Sequence, residues 1–170
     1  MIYIGVLWNT VNDFSDEIIN DINECEEILC YFDYDLKEKY EDFVRKMYEF
    51  DGIAKWKVDS KIEAMSLSSN GNIRIVFIKI DDTTIEFNSK KNKYVMVHVE
   101  NLKNLIRTKY SQLISNYYFD NVFHMTDNED ELNNTLEVLQ EWFPDVCVKY
   151  HEIISEQNNT LKRKRLKKWK

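Results

Sequence analysis

The apolar residues of this chain follow two different periods, and the changes of period divide it into predicted strands and helices. Short continuous or alternating apolar runs favour strands, and apolar residues three or four positions apart favour helices. The first pattern predicts strands over residues 2–8, 27–34, 73–80, 117–123 and, as a possible last element, 146–150. The second pattern predicts helices over residues 14–25, 36–65 with a break near 51–52, 99–115 and 129–143.

The order of these elements determines the fold class that we expect. Helices and strands alternate along the chain, which is typical of the α/β and α+β classes. A turn signal at Asn70-Gly71 and a hairpin between residues 73–80 and 83–87 would permit antiparallel pairing, so a parallel sheet is not required. We therefore expect an α/β (α+β) fold in which helices pack on a mostly antiparallel sheet.

Length and composition fit one compact domain followed by a short tail. The chain has 170 residues, is 44% apolar and contains three glycines and one proline, so no stretch resembles an interdomain linker. Three cysteines without Cys-x-x-Cys spacing indicate reduced core residues. The apolar N-terminus is short and lacks a basic region, so we expect a first strand rather than a signal peptide. We predict a domain over residues 1–155, a tail over 156–170 and a cytoplasmic protein.

Charge is distributed unevenly between the body of the chain and its C-terminal end. The net charge is −7, yet residues 162–170 (KRKRLKKWK) hold seven Lys or Arg residues and no acids. An acidic body is not expected to bind nucleic acid through its general field. The basic tail could contact an anionic membrane surface or RNA, could fold back on the acidic domain, or could be a flexible solubilising segment.

The segment 121–128 (NVFHMTDN) carries the best candidate chemistry in the sequence. A strand-like run delivers His124 to a polar turn, and a helix is predicted to begin at Glu129. Thr126 and Asn128 are both suitable N-cap residues, with acids three positions further on, as in a capping box. Free backbone N–H groups and the positive end of the helix dipole favour an anion at such a helix start. We therefore expect His124 to lie beside an anion site.

The same segment resembles the active-site signature of nucleoside diphosphate kinases. The pattern Asn121-x-x-His124-x-Thr126-Asp127, before a helix that ends Glu-Trp-Phe, is similar to the family's Asn-x-x-His-Gly-Ser-Asp before an acidic helix that ends Trp-Phe. Residues 36–42 (LKEKYED) resemble the family's Leu-x-x-His-Tyr segment, and residues 106–110 (IRTKY) resemble its Ile-Arg-Gly-Asp-Phe segment. The segments follow one another in the family's order.

This resemblance implies a fold, a reaction and a set of site residues. The fold would be the ferredoxin-like βαββαβ sandwich, and the activity would be a phosphotransferase reaction through a phosphohistidine, on a nucleotide or another phosphorylated substrate, in a possible homo-oligomer. The catalytic nucleophile would be His124, with an acid such as Glu131 fixing its tautomer and Asp127 helping to hold Mg²⁺. The residues that would bind substrate or phosphate are Arg107, Tyr40, Lys39, Asn121 and Thr126.

The sequence also departs from the family pattern, and the departures keep a second function open. The family's first strand ends in a phosphate-contacting lysine, but here Val6-Leu7-Trp8 supplies no cation. The glycine that follows the family's histidine is Met125 in this chain. The alternative to an enzyme is a non-catalytic module that uses the same fold for nucleotide sensing or protein interaction, with the basic tail contacting an anionic partner.

Overall fold

The computed structural model describes residues 1–68 and 70–167, with side chains described as far as residue 160. It consists of two compact units, residues 1–135 and 136–170. The strands are β1 (Ile2–Leu7), β2 (Glu27–Asp35), β3 (Asn72–Lys79), β4 (Ile85–Asn88), β5 (Lys93–Met96) and β6 (Phe123–Met125). The α-helices are α1 (Ser15–Cys25), α2 (Tyr40–Met47), α3 (Lys55–Ser66), α4 (Val97–Ser111), α5 (Glu129–Trp142) and α6 (Pro144–Lys167).

The main sheet of the first unit has four strands in the order β2-β3-β1-β6, and every neighbouring pair is antiparallel. The connection from β1 through α1 to β2 skips the position that β3 occupies. The connection from β3 to β6, which contains α4, skips the position of β1. These two interlocked split βαβ units make up the ferredoxin-like βαββαβ topology. The fold class expected from the sequence is confirmed.

One face of this sheet is covered by α1 and α4. Ile18 and Ile22 of α1 and Val99 and Ile106 of α4 are fully buried against apolar residues of the sheet. Burial of apolar area of this kind is the main source of stability in a domain of this size. The strand residues that join this cluster are Tyr3, Leu7, Val76, Ile78, Phe123 and Met125.

Gly5 allows β6 to lie closely beside β1. Gly5 is paired with Met125 across the two strands, and a Cβ atom on Gly5 would lie 2.6 Å from the ring of Phe123. A real Cβ cannot approach another carbon atom so closely, so a side chain at this position would force the Phe123 ring to move. Gly5 therefore leaves room for the ring of the residue that precedes His124.

Three strand predictions are wrong. Residues 83–87 do not return along 73–80, because Asp82 accepts hydrogen bonds from the backbone and hydroxyl of Thr84 and β4 pairs with β5 in a separate sheet. In the predicted strand 117–123 only residue 123 belongs to a strand, and Phe119 and Asp120 interrupt the extended backbone with positive φ angles. Residues 146–150 are helical. Pro144 opens that helix at a position where its missing N–H is no loss.

The second unit contains the end of α5 and the helix α6. Within it, the Cys147 thiol contacts the carbonyl oxygen of Leu136 at 3.4 Å, and the backbone N–H of Val146 donates to Phe143. The side chains of the basic segment 162–170 lie outside the described residues, so its contact with a membrane or RNA stays a prediction. The boundary at residue 155 also stays a prediction. None of the helices in the described part of the chain is long and apolar enough to cross a membrane.

Candidate active site

A cavity of about 500 Å³ opens on the first unit, and His124 lies in its wall. The strand period explains this position. Phe123 and Met125 point into the core cluster, so the side chain between them points to the opposite face of the sheet. The other walls come from the segment between α2 and α3, helices α3 and α4, the loop between β4 and β5, the loop before β6, and the start of α5.

The His124 ring is buried among aromatic rings and is electrically neutral. Its centroid lies 5.3 Å from that of Tyr48, edge-on, and 6.5 Å from that of Trp8. Burial lowers the pKa of His124 well below its usual value, and the charges of Lys103 and Lys61 lower this pKa further. Among the described residues, neither ring nitrogen has a hydrogen-bond or ion-pair partner. A neutral imidazole therefore faces the cavity with a free lone pair.

Arg107 is fixed beside this histidine. Its Nε donates a hydrogen bond of 2.9 Å to the carbonyl oxygen of Phe123, and its Nη1 lies 3.2 Å from a carboxylate oxygen of Asp120. The guanidinium thus joins α4 to β6 and to the loop that precedes it. A planar guanidinium held in this way can still present donors to a phosphate.

Two buried lysines complete the basic floor of the cavity. Lys61 of α3 donates to the hydroxyl of Tyr48 at 2.9 Å. Lys103 of α4 lies 2.6 Å from Glu100 and also pairs with Asp127. Burial lowers the pKa of Lys61 to about 7, and the pKa of Lys103 also to about 7, although the contact with Glu100 opposes the second shift.

The carboxylate of Asp127 does not suit the metal role expected from the sequence. It is buried and pairs with Lys91 at 3.1 Å, with Lys93 at 3.0 Å and with Lys103. Three ammonium groups already occupy the surroundings of its oxygens, and Mg²⁺ would have to displace them. Among the described residues, no group of three or more His, Cys, Asp or Glu side chains could hold a metal ion. We therefore assign no protein-held magnesium to this cavity.

The start of α5 is closed by its own side chains. Asn128 accepts a hydrogen bond of 2.9 Å from the N–H of Glu131, and the Glu131 carboxylate accepts one of 2.7 Å from the N–H of Asp127. The N-cap predicted at Asn128 is confirmed, and these amides are not left for an anion. Glu131 also pairs with Lys93, so the expectation that it fixes the His124 tautomer is wrong.

Of the site residues predicted from the sequence, the structure brings His124, Arg107 and Asp127 to one cavity. The other four lie elsewhere. The hydroxyl of Tyr40 donates to Asn9 at 2.7 Å, its ring packs edge-on against Trp8, and Lys39 is exposed to solvent.

Asn121 and Thr126 are buried within the protein rather than in the cavity wall. The Asn121 amide donates to the carbonyl oxygen of Asn116 at 2.9 Å and accepts from the N–H of Tyr118 at 3.0 Å. These bonds close the loop before β6. The Thr126 hydroxyl accepts a long bond of 3.4 Å from the N–H of Ile4.

Sequence reasoning missed Lys61 and Lys103, although both leave a signal. Lys61 lies on the helix face that buries Val58 and Met65, and Lys103 lies on the face that buries Val99. A lysine on the apolar face of an amphipathic helix is unusual, because burial penalises its charge. A lysine at such a position is a candidate functional residue.

No family model matches the sequence, and no curated protein matches it. The structure is similar to that of a nucleoside diphosphate kinase from Borrelia burgdorferi, a transition-state mimic with bound vanadate and ADP. Sequence identity is 12%, 81% of this chain and 85% of that chain are covered, and the TM-score is 0.49. The nucleoside diphosphate kinase of Aquifex aeolicus is 8% identical in sequence, with 81% of this chain and 93% of that chain covered and a TM-score of 0.47. A nucleoside diphosphate kinase family protein from Babesia bovis is 12% identical, with 81% of this chain and 85% of that chain covered and a TM-score of 0.44.

Proposed function

We propose that this protein is a small phosphotransferase that carries a phosphoryl group on His124. The observation that supports this most strongly is the state of that histidine. It is neutral, and it lies in the wall of a basic cavity. A nucleophilic imidazole must be unprotonated on the attacking nitrogen, and this environment keeps it so.

The charge of the cavity supports a phosphorylated substrate. Seven cationic side chains line it against four acidic ones, in a chain whose net charge is −7. A local excess of positive charge in an acidic protein attracts small anions while the remaining surface repels them. The cationic residues are Lys57, Lys61, Lys90, Lys91, Lys93, Lys103 and Arg107.

The reaction would have two symmetrical steps. A ring nitrogen of His124 attacks the terminal phosphorus of a nucleoside triphosphate and forms a P–N bond, while the bond from that phosphorus to the bridging oxygen breaks and the diphosphate leaves with its electron pair. The terminal phosphate oxygen of an acceptor then attacks the same phosphorus, and the electrons of the P–N bond return to the ring. Arg107 and the buried lysines would neutralise the charge of the transferred group.

Aromatic rings at the cavity mouth support a nucleotide as the phosphoryl donor. Phe119 lines the mouth, is 44% exposed and lies 6.1 Å from the ring of Trp56, which is 58% exposed. Exposed aromatic faces beside a phosphate site can stack on a nucleobase. Magnesium would then enter with the nucleotide phosphates rather than on a protein ligand set.

One observation favours a second function, a module that binds nucleotide without transferring phosphate. No described residue accepts a hydrogen bond from the His124 ring, so nothing there fixes which nitrogen carries the proton. In catalytic histidines a hydrogen-bond acceptor for the second ring nitrogen usually fixes the tautomer. A nucleotide-sensing module would need the basic cavity and the aromatic mouth but not this acceptor.

Incubation with the magnesium salt of γ-labelled ATP separates the two functions. We expect the wild type to take up label that is lost in acid and retained in base, and His124→Gln to take up none. The other two histidines, His98 and His151, provide matched controls, and their Gln variants should be labelled like the wild type. Saturable ATP binding without label would overturn the phosphotransferase and support the sensing module.

A further inference from the structure

We propose that Lys61, positioned by Tyr48, is the residue that binds the phosphoryl group at His124. This inference rests on the proposed function, since it concerns the same cavity. Lys61, Tyr48 and His124 form a continuous series of side-chain contacts. The Lys61 ammonium donates to the Tyr48 hydroxyl at 2.9 Å and lies 4.2 Å from the centroid of its ring. The Tyr48 ring in turn meets the His124 ring edge-on at 5.3 Å.

Lys61 is a buried cation of the cavity without a counterion among the described residues. Lys91, Lys93, Lys103 and Arg107 each pair with at least one carboxylate. In the described part of the chain, no carboxylate oxygen lies within 4.0 Å of the Lys61 ammonium. Lys57 and Lys90 also make no such pair, but they are more exposed and water can solvate them.

Burial makes this missing counterion significant. Lys61 is only 7% exposed. A buried ammonium without a counterion costs several kcal/mol in general, and proteins usually neutralise or pair it. A bound phosphoryl group would supply the negative charge that the protein does not.

The local charges allow the protonation of Lys61 to respond to an anion. Burial, followed by the charge of Arg107, lowers the pKa of Lys61 to about 7, so a bound anion would raise this pKa and draw a proton from solution. The groups that face Lys61 from the surrounding elements are Tyr48, Asp51, Arg107, Asp120 and His124.

Tyr48 gives the ammonium a fixed position without neutralising it. Burial raises the pKa of Tyr48, so its hydroxyl stays protonated and accepts the lysine hydrogen bond through an oxygen lone pair. Both remaining N–H donors of Lys61 are then available to a ligand. Tyr48 is accordingly a positioning residue, and Lys61 is the residue that contacts the phosphate.

The test compares three variants in calorimetric titrations with the β,γ-imido analogue of ATP, which cannot transfer its terminal group. We expect Lys61→Met to weaken binding about 10- to 100-fold, as for loss of a charged hydrogen bond. Tyr48→Phe should cause a smaller loss. Lys55→Met removes a charge from the exposed face of the same helix, outside the cavity, and should bind within about twofold of the wild type.

Proton uptake gives a second measurement, and its wild-type part does not depend on how any variant folds. Titration of the wild type at pH 8 in buffers of different ionisation enthalpy should show net proton uptake on binding, and Lys61→Met should take up less while Lys55→Met takes up the same amount. Wild-type binding without any uptake would overturn the assignment. So would a folded Lys61→Met variant that binds like the wild type.

The labelling experiment keeps this inference separate from the proposed function. If the wild type is labelled on His124 and Lys61→Met is labelled at the same rate with the same affinity, the role of Lys61 fails and the phosphotransferase stands. If the wild type is never labelled but loses affinity in Lys61→Met, the phosphotransferase fails and the anion-binding role of Lys61 stands. If the wild type binds neither the analogue nor pyrophosphate, the role of Lys61 fails.

Discussion

Arg107 donates a hydrogen bond of 2.9 Å from Nε to the carbonyl oxygen of Phe123, the residue immediately before His124. This bond fixes a cation and a histidine at one place although they lie on separate elements, α4 and β6. It also satisfies a buried backbone carbonyl that would otherwise lack a partner at the edge of the sheet. The arginine thus has a structural role and a chemical role, and substitutions can separate them.

We expect Arg107→Gln to lower both stability and nucleotide affinity. The variant leaves the Phe123 carbonyl with a weaker partner, and the expected loss is about 1–2 kcal/mol of unfolding free energy. Urea unfolding measures this loss, and titration with ADP measures the affinity. Lys109→Gln is the matched control on the same helix, because its pair with Asp21 is exposed and should contribute less than about 1 kcal/mol. Equal stabilities of the two variants would contradict the structural role.

Asn121 should affect stability and not ligand binding. Its side chain makes two hydrogen bonds within the loop that precedes β6, so Asn121→Ala leaves buried groups unpaired at a cost of about 1–3 kcal/mol. We expect the folded fraction of the variant to bind ADP with unchanged affinity. Asn133→Ala, an exposed amide on α5, should change neither quantity. Reduced affinity at full folding would instead support the nucleotide contact predicted from the sequence.

The loop around Asn121 shows which parts of this fold could not be predicted from the sequence. The apolar runs of β1 and β3 are long and buried on both faces, so their positions could be read directly from the sequence. Residues 117–122 contain aromatic, strand-prone side chains, but Phe119 and Asp120 adopt positive φ angles and Asn121 closes the loop through hydrogen bonds with Asn116 and Tyr118, which a pattern of apolar positions does not encode. A pattern of apolar positions therefore predicts elements packed on the core more reliably than the loops between them.

The candidate site was predictable only in part, for a related reason. His124 and Arg107 could be found because they belong to short local motifs. Lys61 and Lys103 lie on different helices, and only the packing of α3 and α4 brings them to the same cavity. Tyr40 shows the opposite case, since a matching motif placed it near phosphate and the structure places it beside Asn9.

The lowered pKa of His124 predicts a pH dependence of stability with a definite sign. Below about 6.5 the unfolded chain binds a proton on this histidine that the folded protein does not bind. The contribution of His124 to stability is therefore fully present above that value and is lost as the pH falls toward the lowered folded pKa. The slope is at most about 1.4 kcal/mol per pH unit. His124→Gln should lack this loss when urea unfolding is measured at pH 7.5, 6.0 and 5.0.

His98 provides a control of opposite sign. Its pKa is raised by the hydrogen bond with Glu26 and by the charge of Asp82, so its contribution is present below about pH 6.5 and is lost as the pH rises through the raised value. His98→Gln should leave the acidic loss of the wild type in place. Parallel stability curves for the wild type and His124→Gln would show that the His124 ring is not held neutral by burial.

The Asp127→Asn variant tests whether Asp127 is a metal ligand or the counterion of the neighbouring lysines. The carboxylate pairs with Lys91, Lys93 and Lys103, so its removal should destabilise the fold by about 3 kcal/mol, in the range found when one partner of a buried ion pair is lost. At the same time it leaves the cavity more positive, so we expect tighter binding of ADP in the absence of Mg²⁺. Asp130→Asn, an exposed acid in the first turn of α5, is the matched control and should alter neither property. If Asp127 held Mg²⁺ instead, the Asn variant would bind magnesium-free ADP as the wild type does and would lose affinity only for the magnesium complex.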